Sequence, residues 1–132
     1  MLFRSLVWPI RDISGDVVGF GARKLSEKDE GPKYLNTPET PLFKKSQLLY
    51  GLDLAKKEIS KKRQAVIVEG YTDVMAAHLA GVTTAVATCG TAFGDEHIKK
   101  LRQLLMDDDA FRGEVIFTFD GDAAGQKAAL RA

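Results

Sequence analysis

Two short apolar runs, each followed by acidic residues and glycine, limit the folds open to this chain more than any other feature. The first run covers residues 65–68 and leads into Glu69 and Gly70, and the second covers residues 115–119 and leads into Asp-Gly-Asp at 120–122. Runs of this length, rich in β-branched and aromatic residues, are typical of strands buried on both faces. Since a helical pattern follows each run, we predict parallel strands joined by helices.

The acidic residues that follow these runs predict a metal site. Parallel strands with right-handed crossovers place their carboxyl ends at one edge of the sheet, where Glu69, Asp120 and Asp122 would meet. Three carboxylates at such short distances repel one another, and each raises the pKa of the others. A divalent cation removes this repulsion, and one or two carboxylates plus substrate phosphates usually hold magnesium. We therefore predict that Mg²⁺ or Mn²⁺ binds to these three carboxylates.

A purely structural interpretation of the same residues stays open. Asp120 and Gly121 form a favourable turn sequence, and Asp122 is a favourable N-cap for a helix that begins at Ala123. Taken singly, each carboxylate is well explained in this way. Two separate strands nevertheless end in acid and glycine at the same edge, and this combination favours the metal site.

Periodicity and turn residues predict the remaining elements. A hairpin of residues 5–10 and 16–22 comes first, and glycines within its second strand indicate a bulge or a close backbone approach. A loop follows at 26–32, and then an ordered loop at 33–41 with a short strand at Tyr34 and Leu35. Further predicted elements are a helix capped by Ser46 and reaching Lys62, a helix over 72–80, a middle strand over 84–88 and a helix over 95–106.

Composition excludes several classes of protein. The chain has 132 residues, of which 45% are hydrophobic and 28% are charged, as in globular domains with a core of their own. A formal net charge of +1 gives no indication of nucleic acid, so any basic surface must be local. The single cysteine, Cys89, excludes an intrachain disulfide and is expected to be a small buried thiol. Without an apolar run long enough to span a membrane and without a secretory signal, we expect a cytoplasmic location.

Two groups of motifs resemble a known family. Glu69-Gly70-Tyr71-Thr72-Asp73 and the later Asp-Gly-Asp with Ala124-Gly125 resemble the Toprim domain that topoisomerases, bacterial primases and recombination-repair proteins share. The segments Gly-Phe-Gly-Ala-Arg at 19–23, Pro-Lys-Tyr-Leu-Asn-Thr-Pro-Glu-Thr at 32–40, Phe-Lys-Lys at 43–45 and Leu-Tyr-Gly at 49–51 are similar to the RNA polymerase core of DnaG-type bacterial primases. The similarity runs from about Trp8 to the last residue.

The resemblance implies an α/β fold in two units. Residues 1–63 would form part of the amino-terminal basic subdomain of the primase core, a small α+β unit with a β-hairpin. Residues 64–132 would form a carboxy-terminally truncated Toprim domain, with a parallel sheet flanked by helices. Relative to the family, we expect this chain to be a fragment. It would lack the zinc-binding domain, the first part of the polymerase core, a further acidic Toprim motif and the helicase-binding domain.

The resemblance also implies an activity and its residues. Enzymes of this family are DNA-directed RNA polymerases that synthesise short RNA primers on single-stranded DNA by metal-dependent nucleotidyl transfer from ribonucleoside triphosphates. In this chain Glu69, Asp120 and Asp122 would be the catalytic metal ligands. Nucleotide- and template-binding roles would belong to Arg23, Lys33, Tyr34, Asn36 and Lys45, with Lys44, Arg11, Asp73 and Gly70 as secondary candidates.

The same resemblance implies partners and a location. The replicative helicase would be contacted in the primosome through a domain absent here, at the replication fork in the nucleoid. No membrane is implied. We expect the 132 residues alone to be inactive, because the further acidic motif of the family lies beyond Ala132.

Two other functions remain as alternatives. A Toprim nuclease or topoisomerase-like enzyme would cleave DNA, and would need a partner for cleavage such as a catalytic tyrosine in a separate domain. A non-catalytic Toprim module of the recombination-repair type would contact DNA or protein only. The Lys-Tyr-Leu-Asn-Thr-Pro-Glu segment at 33–39 favours the primase over both.

Overall fold

The computed structural model describes residues 5–105 and 113–119 of the chain. An antiparallel three-stranded sheet precedes a four-stranded sheet that has helices on both faces. The elements are β1 (Ser5–Arg11), β2 (Val17–Lys24), β3 (Tyr34–Asn36), β4 (Leu49–Tyr50), α1 (Leu52–Lys62), β5 (Gln64–Val68), α2 (Tyr71–Leu79), β6 (Ala85–Thr88), α3 (Asp95–Leu105) and β7 (Glu114–Thr118). This arrangement confirms the predicted α/β fold class with its amino-terminal hairpin.

The hairpin sheet has the order β1-β2-β3, and its glycines allow large side chains to cross it. Trp8 lies opposite Gly21, where an added Cβ would lie 2.5 Å from the indole nitrogen of Trp8. A Cβ on Gly19 would similarly lie 2.6 Å from the ring of Phe43, which is fully buried. The prediction of a close backbone approach at these glycines is therefore confirmed.

The second sheet has the order β4-β6-β5-β7, with β5 parallel to both β6 and β7. Val68 pairs with Thr118, so the two apolar runs leave the sheet side by side. The predicted parallel direction of these two strands is confirmed, but β5 lies in the middle of the three parallel strands, where the strand at 84–88 was expected. Strand β4 lies antiparallel to β6, because the edge of β6 offers backbone groups to Leu49 and Tyr50.

This short strand corrects one prediction. A helix capped by Ser46 was expected to include Leu49, but α1 begins at Leu52, after Gly51. Gly51 has φ 86°, a left-handed conformation that glycine adopts easily and that separates the strand from the helix. Leu49 is 2% exposed, so its burial is achieved from a strand rather than from a helix face. Met106 of the predicted third helix lies outside the described residues.

Three clusters of buried side chains form the core. Alternate residues of β5 point to opposite faces, so that Ala65 and Ile67 face α1 and α3, whereas Val66 and Val68 face α2. Burial of each large aliphatic side chain contributes roughly 1.5–3 kcal/mol to stability. The third cluster joins the two sheets and consists of Trp8, Ile10, Phe43, Leu48, Tyr71 and Cys89. Within the described part of the chain, no helix is long and apolar enough to cross a membrane.

Candidate active site

A cavity of about 450 Å³ opens at the carboxyl ends of β5 and β6. Strand β3 of the hairpin sheet closes its opposite side, so the two sheets contribute to one cavity. Its lining residues are Tyr34, Asn36, Glu69, Gly70, Tyr71, Thr72, Asp73, Thr88 and Gly90. Carboxyl ends of parallel strands are the usual place for ligands in open α/β sheets. Residues predicted from both groups of motifs therefore meet here.

Glu69 places a carboxylate at this cavity. It follows the last residue of β5 and is exposed. Gly70 is the N-cap of α2 and has an extended conformation, and its N–H donates to Oδ2 of Asp73 at 3.1 Å. Asp73, a secondary binding candidate from the resemblance, thus has a structural role as a cap of the first turn of α2.

The other two predicted metal ligands, Asp120 and Asp122, lie outside the described residues. Among residues 5–105 and 113–119, no group of three or more acidic, histidine or cysteine side chains is placed to hold a metal ion. The described carboxylates at the cavity, Glu69 and Asp73, supply oxygen ligands, and oxygen is the donor that Mg²⁺ prefers. The chemistry of these donors fits such an ion, and the three-carboxylate site stays a prediction.

Three of the predicted nucleotide-binding residues form a cationic and aromatic group at the sheet edge, which we call the outer cluster (Arg23, Lys33 and Tyr34). Arg23 of β2 pairs with Tyr34 of β3, and its guanidinium carbon lies 5.8 Å from the ring centroid. The ammonium of Lys33 lies 5.9 Å from the same centroid. Tyr34 is 48% exposed, so its ring is available for stacking while two cations stand beside it. Only Tyr34 of this cluster lines the described cavity.

Lys45 is held through its backbone by a buried histidine. The ring of His97 is 1% exposed, its Nδ1 accepts from the N–H of Gly94 at 3.0 Å, and its Nε2 lies 2.9 Å from the carbonyl oxygen of Lys45. Because Nδ1 is an acceptor, the proton is on Nε2, which donates to Lys45. Burial lowers the pKa of His97 and favours this neutral form. Phe93 stacks on the ring at a centroid distance of 5.5 Å.

Asn36 is held through its side chain by a buried tyrosine. The hydroxyl of Tyr71 donates to Oδ1 of Asn36 at 2.6 Å, although 35 residues separate the two in sequence. A Cβ added to Gly90 would lie 2.6 Å from Nδ2 of Asn36, so the amide nitrogen lies against the backbone of Gly90. Gly90 also has φ +73°, which favours glycine.

We call the contacts at this place between residues that precede α1 (Asn36 and Lys45) and residues that follow it (Tyr71, Gly90 and His97) the seam. Sequence reasoning identified Asn36 and Lys45 but missed the partners that hold them. The only sequence signals were the position of Tyr71 directly after Glu69-Gly70 and the glycine after the middle strand. The buried ring of His97 and its two hydrogen bonds give this residue a structural role.

Cys89 belongs to the buried cluster beside the seam and is not a nucleophile. Its side chain is fully buried, as expected of a small buried thiol, and burial raises its pKa to about 11. The thiol therefore stays protonated near neutral pH, whereas the thiolate is the reactive form.

Comparison with known proteins covers the whole chain. Residues 1–56 match the family described as the N-terminal domain of the DNA primase catalytic core, and residues 63–132 match the Toprim domain. A DNA primase of Streptomyces coelicolor is 77% identical over 127 residues, which cover 96% of this chain and 20% of that protein. The chain spans about a fifth of the length of the curated relatives it matches.

Solved structures show the same arrangement. The crystal structure of the RNA polymerase domain of the Mycobacterium tuberculosis primase DnaG aligns with a TM-score of 0.90 at 65% identity, covering 97% of this chain and 42% of that chain. A structure of the DnaG primase catalytic domain bound to single-stranded DNA aligns with a TM-score of 0.80 at 40% identity, covering 97% of this chain and 38% of that chain. The two sheets thus recur together in these relatives.

Proposed function

The chain belongs to the Toprim family and, within it, to the bacterial DNA primases of the DnaG type, and on this premise we propose that it forms part of an RNA polymerase core that makes primers. Both families are metal-dependent in general. The observation that carries the proposal is the cavity in which the Toprim carboxylate Glu69 faces Tyr34 and Asn36 of the basic unit. Polymerisation requires residues that bind the metal ion to lie close to residues that bind the nucleotide.

In this proposal Glu69, Asp120 and Asp122 hold Mg²⁺ or Mn²⁺. When bound, the ion would neutralise phosphate charge and favour attack by the primer hydroxyl. The exposed carboxylate of Glu69 at the end of β5 supports its part in the set. In the pairing of β5 with β7, Val68 lies opposite Thr118. This register supports the proposal that the residues after both strands lie at the same edge of the sheet.

The reaction joins the 3′-hydroxyl of the primer to the α-phosphorus of a ribonucleoside triphosphate and expels pyrophosphate. The hydroxyl loses its proton and the bond from the α-phosphorus to the bridging oxygen breaks. Arg23, Lys33 and Lys45 would contribute positive charge that binds the triphosphate or the template strand. The half-exposed ring of Tyr34 would stack on a base, and the amide of Asn36 would donate a hydrogen bond.

Single-stranded DNA is the proposed template, because a DnaG catalytic domain similar to this chain is described as bound to it. The proposed place of action is the replication fork in the cytoplasm, with the replicative helicase as a partner through another domain. We also propose a boundary between the two units near residue 63. The two family matches, which end at residue 56 and begin at residue 63, support this boundary.

The match of residues 1–56 to the primase core supports polymerisation over DNA cleavage and over a non-catalytic repair module. The test is template-dependent incorporation of ribonucleotides by the complete primase that carries this chain. Glu69→Gln keeps the size of the side chain and removes its charge, so we expect a loss of roughly 100-fold or more in rate. Thr72→Ser, at an exposed position of the same cavity, is the matched control and should stay near wild type. Full activity of Glu69→Gln would overturn the proposal.

A further inference from the structure

A hydrogen bond between the side chains of Tyr71 and Asn36 links the Toprim helix α2 to strand β3 at the cavity. Tyr71 is 8% exposed, and its ring packs edge-on against Trp8 at 5.4 Å and against Tyr50 at 4.8 Å. These two rings therefore restrict where the Tyr71 hydroxyl can lie. The hydroxyl projects from this packing toward the amide of Asn36.

The direction of this hydrogen bond decides how the amide is turned. In this hydrogen bond the Tyr71 hydroxyl is the donor and Oδ1 of Asn36 is the acceptor, at 2.6 Å. With Oδ1 engaged by Tyr71, the NH₂ group is the part of the amide that lies beside Gly90. An amide nitrogen carries two N–H donors and no acceptor.

Both Asn36 and Gly90 line the cavity that contains Glu69. Gly90 has no side chain to cover the amide, and its positive φ allows its backbone to approach Nδ2 closely. The amide of Asn36 therefore presents a hydrogen-bond donor to the cavity, and the hydroxyl of Tyr71 fixes its orientation. A freely rotating asparagine would present its oxygen and its nitrogen about equally, and would lose rotamer entropy when a ligand selects one of them.

We propose that Tyr71 is a positioning residue that orients the Asn36 amide so that Nδ2 donates to an acceptor oxygen of the bound ribonucleotide. This inference rests on the proposed function and deepens it, because it assigns a donor and its support within the same cavity. Tyr71 comes two residues after Glu69. One short segment would therefore provide a metal-binding carboxylate and also orient Asn36, the residue that binds the nucleotide. Asn36 contacts the nucleotide, and Tyr71 acts only through Asn36.

The test is a double-mutant cycle in the complete primase. Tyr71→Phe removes the hydroxyl and keeps the ring, and we expect KM for the ribonucleotide to rise about threefold to tenfold, as for a lost hydrogen bond, with kcat little changed. Asn36→Ala should raise KM at least as much. Adding Tyr71→Phe to Asn36→Ala should then change KM no further, because the group that Tyr71 orients is already gone.

Two further variants separate donation from packing. Asn36→Asp keeps an oxygen for the Tyr71 hydroxyl and replaces the donor with an anion, so it should raise KM beyond the value for Asn36→Ala. Tyr50→Phe removes a hydroxyl from the same aromatic group outside the cavity, and it should leave KM unchanged. Thermal unfolding of every variant is measured, so that a KM change is read only from folded protein.

The possible failures are distinguishable. Suppose that Glu69→Gln abolishes primer synthesis. If Tyr71→Phe then leaves KM unchanged, or if Tyr71→Phe still raises KM in the Asn36→Ala background, the positioning role is wrong and the proposed function stands. If Glu69→Gln is fully active, the active-site assignment itself is wrong, and this inference fails with it. Nonadditive KM changes together with an inactive Glu69→Gln would support both.

Discussion

The outer cluster and the seam both contain residues assigned to nucleotide binding, but they differ in how much the stability of the fold depends on them. Lys33 and Tyr34 of the outer cluster are exposed, and their mutual contacts are weak cation–ring approaches near 6 Å. The seam contains partly buried hydrogen bonds that span 35 and 52 residues. Substitution of an exposed residue can change function with little effect on folding, whereas substitution within a buried pair changes both function and stability.

The seam should therefore respond to substitution in both stability and function. The outer cluster should respond in function alone. Four predictions test this difference, beginning with the largest expected effect.

Gly90→Ala should disturb the seam most. An alanine at φ +73° is strained, and its Cβ would meet Nδ2 of Asn36 at 2.6 Å, so we expect a loss of about 2–3 kcal/mol in the free energy of unfolding. Gly15→Ala is the matched control, since Gly15 has φ +93° with nothing within 4 Å of an added Cβ. Its cost should be only about 1–2 kcal/mol. Equal costs in urea unfolding would show that the contact with Asn36 is unimportant.

Lys33→Ala should have the opposite profile. We expect primer synthesis by the complete primase to fall roughly tenfold to a hundredfold, as for the loss of a charged hydrogen bond. The free energy of unfolding should change by no more than about 0.5 kcal/mol, because the side chain is exposed. Lys28→Ala, another exposed lysine in the preceding loop, should leave both quantities unchanged. Activity near wild type in Lys33→Ala would remove the outer cluster from the site.

His97 should make the stability of the seam depend on pH. Burial lowers its pKa in the folded chain, whereas an unfolded histidine takes up a proton near pH 6.5. Between these two values the unfolded state binds more protons, so stability is complete above about pH 6.5 and falls as pH decreases toward the folded pKa. Urea unfolding between pH 7.5 and 5.0 measures this effect.

His97→Gln keeps an N–H donor for Lys45 and cannot titrate, so it should flatten this part of the pH profile. His78→Gln removes the other histidine of the chain and serves as the control. An unchanged profile in His97→Gln, or equal flattening in His78→Gln, would contradict the assignment.

The smallest expected effect is weak binding of Mn²⁺ by the 132-residue chain. Few protein ligands are enough for such an ion, since it keeps much of its water shell. Paramagnetic broadening should reach the amide signals of Gly70 and Gly121, and Asp120→Asn should reduce it. The same sample should make no primers. Broadening that is absent, or that Asp120→Asn leaves unchanged, would count against the metal site.

The chain's own pattern predicted most of the fold and the position of Glu69. Apolar runs of strand length and the residues that end them depend on neighbours in sequence, so the parallel direction of β5 and β7 could be predicted. Glycines within β2 predicted close approaches, since only a missing side chain allows Trp8 to cross there. The functional assignments of Arg23, Lys33 and Lys45 came from resemblance, because single basic residues on a surface carry little information.

Sequence by itself thus determined most of the strands and helices, and the end of the sheet at which Glu69 lies. The tertiary structure alone decided that Leu49 joins β6 rather than extending α1, because pairing with a sheet edge outweighs local helix propensity. It also decided that Tyr71 turns the amide of Asn36 and that His97 holds Lys45. These contacts depend on how two sheets approach each other in space, and no local periodicity encodes the partner of a side chain 35 or 52 residues away.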